Sequence, residues 1–143
     1  MESDDPPSID AWVQVVAEAV VLACNERSLE LPRLLCEPGR SLVASSGVTL
    51  YTLGARKEVP GIRTYLSVDG GMSDNPRPIT YQSLYTAFLA DRPQAEPTES
   101  ITLAGKHCES GDVLLKDLAL PPSVSGDVLV VLATGAYLSL IHI

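Results

Sequence analysis

Hydrophobic positions change their period once along this 143-residue chain. Near the N-terminus, apolar side chains fall at positions 9, 12, 13, 16, 20, 23 and 24. That is the spacing of one helix face, and Val15, Val21 and Leu22 widen the stripe. Ser8 stands where an N-cap is needed, so the pattern predicts a helix from about Ile9 to Arg27. A stripe this broad suits a helix lying on a sheet. Pro32 ends any helical run, and residues 33–36 read as a short buried strand. A helix-to-strand step of this kind is what the last unit of a β/α barrel looks like.

After Arg40 the period shortens. Residues 48–55, 64–68, 85–89, 101–104, 113–118 and 127–134 read as strands, with the apolar run continuing to Tyr137 and Gly135 near its end. Clusters of Pro, Gly, Asp and Asn separate them, at the intervals of an all-β sandwich or barrel. Residues 1–7, acidic and proline-bearing, read as a loop. So do residues 90–100, which carry Pro93 and Pro97. The expected fold is mainly β: a Greek-key-like β-barrel over residues 45–143, preceded in residues 1–44 by the last helix and strand of a β/α (TIM) barrel.

Composition narrows the function classes. A chain with 45% hydrophobic residues can build a core. A formal charge of −8, with the Lys and Arg residues scattered, argues against nucleic-acid binding, which needs clustered cations to displace counterions. A small phosphate-bearing molecule stays open, because one loop can hold it whatever the net charge. The cysteines Cys24, Cys36 and Cys108 have no framework spacing, and no secretory leader pattern precedes them. The expected setting is therefore reducing and cytoplasmic. The apolar run at 13–24 is too short for a bilayer and is broken by Glu18, so no membrane partner is expected.

Four islands carry candidate chemistry. In Glu37-Pro38-Gly39-Arg40, proline presets a turn and glycine loosens it, so that Arg40 projects from a strand end. Taken alone, these four residues are better explained as an ordinary surface turn. Residues 69–78 place Arg77 between Pro76 and Pro78. A guanidinium held in a rigid loop suits a carboxylate or phosphate, and Tyr81 can add a hydroxyl; a solvated hairpin loop is the plain alternative. Cys108-Glu109-Ser110-Gly111-Asp112 sets a thiol beside a carboxylate, as proton donor or nucleophile with a reader of an ammonium group. His107 adjoins the thiol, but neighbours on extended chain face opposite ways, which argues against a dyad. Cys36, His107 and Cys108 lack metal-ligand spacing. Tyr137, after Gly135-Ala136, either presents a hydroxyl to a phosphate or packs at a strand end.

In that order, the islands closely resemble the C-terminal part of the pyridoxal-phosphate-dependent decarboxylases with an alanine-racemase-like barrel, from about Arg33 to Tyr137. The run Met72-Ser73-Asp74-Asn75-Pro76-Arg77-Pro78 with Cys108–Asp112 resembles the member that converts meso-2,6-diaminopimelate to L-lysine and CO2. The resemblance implies pyridoxal 5'-phosphate as cofactor, with Glu37, Pro38, Gly39, Arg40 and Tyr137 at its phosphate rim. It implies Cys108 as catalytic proton donor. It also implies Arg77 and Tyr81 on the substrate's far carboxylate, Glu109 on its far amino group, and Arg40 and Tyr137 near the substrate. It implies a homodimer with the active site at the subunit interface. Two alternatives stand beside it: a related decarboxylase of ornithine, lysine or a polyamine precursor, or a non-catalytic β-barrel binding domain.

The family's Schiff-base lysine lies upstream of anything matched here, and Lys57, Lys106 and Lys116 have no such context. The chain reads as a C-terminal fragment, with residues 138–143 as a truncated or spurious end and no role for His142. The purified chain is therefore expected neither to bind pyridoxal phosphate covalently nor to decarboxylate diaminopimelate. Cofactor absorbance after desalting and CO2 release on mixing check both.

Overall fold

The computed structural model describes residues 7–138. The chain forms two compact units, Met1–Glu37 and Pro38–Ile143. Of the loop expected over residues 1–7 only Pro7 is described, and the apolar end at 139–143 lies outside the described residues.

The first unit is a helix, α1 (Ile9–Glu26). Ser8 caps it, its Oγ accepting the Ala11 N–H at 3.1 Å. The helix stops before Pro32 because Ser28 turns left-handed (φ 53°) and the Leu29 N–H returns to the Cys24 carbonyl at 2.9 Å. Only Cys24 is buried; Ile9, Trp12, Val13, Val15, Val21 and Leu22 stay exposed. The expected strand at residues 33–36 does not form. A parallel strand needs neighbours on its edges, and no strand among the described residues pairs with this stretch, so Leu34 and Leu35 are left exposed.

The second unit opens with two short helical turns, α2 (Gly39–Val43) and a 3-10 turn (Ala44–Ser46), which the sequence pattern did not show. Six strands follow among the described residues: β1 (Thr49–Val59), β2 (Arg63–Val68), β3 (Ala87–Leu89), β4 (Glu99–Ala104), β5 (Val113–Leu120) and β6 (Val128–Val131). A third short helix, α3 (Arg77–Tyr81), lies between β2 and β3. The strands form one sheet in the order β3-β6-β1-β2-β4-β5, and its two end strands approach each other, so the sheet nearly closes into a barrel.

All pairs are antiparallel except β2 with β4, which run parallel with Leu66 opposite Leu103. A parallel pair needs a long crossover. Here the connection from Asp69 to Thr98 supplies it, and that connection carries Arg77.

Alternation sorts the strand residues. Tyr51 and Leu53 of β1 point inward while Leu50 and Thr52 point out. They join Leu66, Leu89, Ile101, Leu103, Leu120 and Leu129, all nearly free of solvent contact, in one core. Burying each such leucine stabilises the fold by roughly 1.5–3 kcal/mol. The β1–β2 register slips between Leu53 and Arg56. The Ser67 hydroxyl fills that bulge, accepting the Ala55 N–H at 2.8 Å. It sits 2.6 Å from where a Cβ on Gly54 would stand, so residue 54 has room for no side chain.

Leu103 is fully buried near the end of β4, a strand that lies between β2 and β5. Leu103→Ala is expected to cost about 2–5 kcal/mol, read as a lowered urea midpoint with an unchanged slope.

Candidate functional site

Two of the four islands meet at the start of the second unit. Arg40, in α2, is not thrown outward as a Pro-Gly turn would require. Pro38 and Gly39 open a helix instead, with the Leu42 N–H returning to the Pro38 carbonyl at 3.3 Å. Arg40 Nη2 donates to the Ala136 carbonyl at 3.0 Å, and the guanidinium lies 5.7 Å from the centre of the Tyr137 ring. Gly39 flanks the same ring: a Cβ there would stand 3.8 Å from the Tyr137 hydroxyl.

The backbone fixes this junction. The Gly135 N–H donates to the Ala44 carbonyl at 2.9 Å and the Thr134 N–H to the Gly47 carbonyl at 3.0 Å. Gly47 and Gly135 touch so closely that a Cβ on Gly47 would lie 2.5 Å from the Gly135 Cα. The strand expected to reach position 134 ends at Val131 for this reason; Ala133 and Tyr137 take left-handed backbone (φ 57° and 59°) to make the turn. Tyr137 stays 53% exposed. Glu37 closes the first unit and is exposed.

The other two islands meet at Asp112, which is 3% exposed. Its Oδ1 accepts the Met72 N–H at 2.7 Å and its Oδ2 the His107 N–H at 2.9 Å. The Lys106 N–H adds a bond to the Gly70 carbonyl at 2.9 Å, and the Ser73 hydroxyl pairs with His107 Nε2 at 2.8 Å. His107 thus faces Ser73 across the two loops. Cys108 is a free, exposed thiol. The Glu109 Oε1 takes the Gly111 N–H at 3.1 Å and the Ser110 hydroxyl at 3.3 Å, which points the carboxylate along its own loop.

Arg77 begins α3, where the Pro76 carbonyl takes the first helical bonds and Pro78 costs no hydrogen bond. Its guanidinium stacks 4.9 Å from the centre of the Tyr81 ring. The Arg77 Nε is buried without a partner among the described residues. Tyr81 is 67% exposed. Among the described residues, neither its hydroxyl nor the outer nitrogens of Arg77 make a hydrogen bond.

Three residues that the sequence left without a role hold the loop of residues 69–75. The Asp69 Oδ1 accepts the Thr52 N–H at 2.9 Å, and this bond holds its carboxyl below the usual range. Asp74 accepts the Tyr51 hydroxyl at 2.9 Å and the Gly71 N–H. Burial, and then that bond to Asp74, pushes the Tyr51 phenol well above its ordinary value. No hydrogen bond or ring contact joins the Arg40–Tyr137 pair to the Cys108 loop among the described residues.

The chain belongs to the pyridoxal-dependent decarboxylases: residues 13–135 match the family's C-terminal sheet domain. It is similar to diaminopimelate decarboxylase of Synechocystis sp., 63% identical over 136 residues, which are 95% of this chain and 29% of that protein. The enzyme of the same name from Bacillus subtilis is 46% identical over 136 residues, 95% of this chain and 31% of the relative. A crystal structure of diaminopimelate decarboxylase from M. jannaschii superposes with a TM-score of 0.77 at 30% identity, over 97% of this chain and 31% of that one. The Helicobacter pylori enzyme, complexed with L-lysine, gives 0.71 at 29% identity over 96% and 32%. This chain therefore spans about three tenths of the length of the relatives it matches.

The Asp69 contact has a measurable sign. A carboxyl lowered on folding contributes stability that is complete above its unfolded value, about 3.9. That contribution is lost as pH falls through the lower folded value. Asp69→Asn is expected to lower the melting temperature at neutral pH and to shrink the difference between variant and parent toward strong acid. Thermal unfolding across acid pH reads it.

Proposed function

We propose that this chain supplies the substrate-facing part of a pyridoxal-phosphate-dependent decarboxylase that converts meso-2,6-diaminopimelate to L-lysine and CO2. One observation carries the reading. An exposed thiol-carboxylate loop and the loop that bears a half-buried arginine stacked on an exposed tyrosine are tied together through a buried acid. A substrate with a carboxylate and an ammonium group at its far end needs both a cation and a carboxylate, and this chain presents both on loops fixed by one acid. The Synechocystis relative carries the same activity in its name.

The Arg40 guanidinium, the Tyr137 hydroxyl and the side-chain-free face of Gly39 form a donor set that fits a phosphate. Glu37 and Pro38 complete that rim in our assignment. Bound pyridoxal phosphate supplies the electron sink that lets a carboxylate leave as CO2. Arg77 and Tyr81 grip the far carboxylate, and Glu109 reads the far amino group. The Cys108 Sγ–H then gives its proton to the carbon that has lost CO2, and Arg40 and Tyr137 orient the reacting end. Residues 1–44 belong, in this reading, to the cofactor-bearing barrel and 45–143 to the sheet domain.

We further infer a homodimer in which Cys108 and Glu109 serve the partner subunit's site. The exposure of the thiol and its separation from the Arg40–Tyr137 pair support this. Three free cysteines suit a reducing, cytoplasmic setting.

A chimera tests the reading: residues 13–135 replace the matching segment of the Synechocystis enzyme, which is then loaded with cofactor. It is expected to decarboxylate meso-diaminopimelate in preference to lysine or ornithine. Cys108→Ala should lower kcat about 10²–10⁴-fold, and Arg77→Ala should chiefly raise KM for diaminopimelate. A chimera that prefers ornithine, or that is indifferent to both substitutions, would overturn the assignment.

A further inference from the structure

We propose that Asp112 is a positioning residue that sets Cys108 and Glu109 against the Arg77 loop, so that proton delivery and recognition of the substrate's far end depend on one buried carboxylate. This inference rests on the decarboxylase reading above.

The two oxygens of Asp112 are divided between two loops. Met72, whose N–H meets Oδ1, lies on the loop that leads to Arg77; His107, whose N–H meets Oδ2, directly precedes Cys108. The Asp112 backbone also closes the Cys108 loop from within. Its N–H donates to the Glu109 carbonyl at 3.0 Å, and its carbonyl accepts the Gly105 N–H at 2.8 Å. The thiol and its neighbouring carboxylate are thus enclosed between bonds made by a single residue.

Space for that carboxylate is made by missing side chains. A Cβ on Gly71 would lie 2.6 Å from Asp112 Oδ2, and one on Gly105 only 2.2 Å from it. Neither glycine has positive φ, so close approach rather than turn geometry demands them. Neither of the two amides held by Asp112 belongs to a strand. The acid therefore organises the site loops rather than the sheet.

Asparagine at 112 keeps the shape but has one acceptor oxygen where aspartate has two. One of the two amides then faces an NH2 group, and one loop is released whichever way the amide turns. Alanine releases both.

Two measurements test the proposal. In the cofactor-loaded chimera, Asp112→Asn should lower kcat by about ten- to a hundredfold and raise KM for diaminopimelate, with Asp112→Ala worse on both. In the 143-residue chain, amide hydrogen exchange should quicken at Met72 and His107 in Asp112→Asn while the β4 amides keep the parent rates. Should Asp112→Asn fail to fold, Gly71→Ala keeps the acid but displaces the Met72 amide, and the same local pattern is expected. An active chimera whose kcat and KM are unmoved by the substitution overturns this proposal alone. Exchange that quickens evenly through β1, β4 and the loops does so too, since it marks a merely structural acid. An inert unsubstituted chimera overturns the decarboxylase reading, and this inference with it.

Discussion

A backbone amide removed from water must find an acceptor, and two loops in this barrel have none in the sheet. Met72 and His107 lie beyond the ends of β2 and β4, where the ladder has stopped. One carboxylate, that of Asp112, answers both. Both bonds are part-buried, so losing the acid would cost each loop a share of the roughly 1–3 kcal/mol of an unsatisfied buried amide. Gly71 and Gly105 follow from the same demand, because any side chain there would occupy the acid's place. The exposed thiol, the carboxylate beside it and the approach to Arg77 take their positions from this contact.

The charged groups divide in a way that separates scaffold from site. Arg56 grips Glu99 through two nitrogens, and Arg92 binds Asp127 and the Pro122 carbonyl; both pairs pin loops to the barrel wall. Glu99 is held below the usual carboxylate range by Arg56. Arg77 forms no such pair among the described residues and rests against a tyrosine ring instead. A cation kept in place by stacking stays available to a ligand, since its charge has not been met. Arg40 is intermediate: one nitrogen is used on a carbonyl and the rest is left over the Tyr137 face.

The strands were legible because period-two alternation survives wherever one face is buried. All six appear within a few residues of their expected places, and α1 starts at the residue its cap implies. Residues 33–36 misled for a physical reason: an apolar run says that a strand is wanted, but only neighbours on its edges make one. The helical turns at 39–46 and 77–81 are too short to show a period. The parallel pairing of β2 with β4 is a matter of which strands meet, which alternation does not encode. Within the site, the motif residues were visible as types, and their family resemblance gave them roles. The part played by Asp112 was not visible, since a buried acid and a solvated one look alike in sequence. Gly71 and Gly105 were its nearest signal.

One of the two central strands of the sheet bears on how the chain reaches this fold. β1 meets β2 across the short turn after Val59, but its other edge is covered only by β6, residues 128–131. Chains emerge from the ribosome at about 5–20 residues per second, so that edge stays open for several seconds after the β1–β2 hairpin has formed. Leu50 and Tyr51 lie along it, and an open apolar edge invites pairing with other nascent chains. The arrival of β6 ends that exposure and in the same movement brings Gly135 onto Gly47. Completion of the sheet and placement of Tyr137 therefore both depend on residues 128–137.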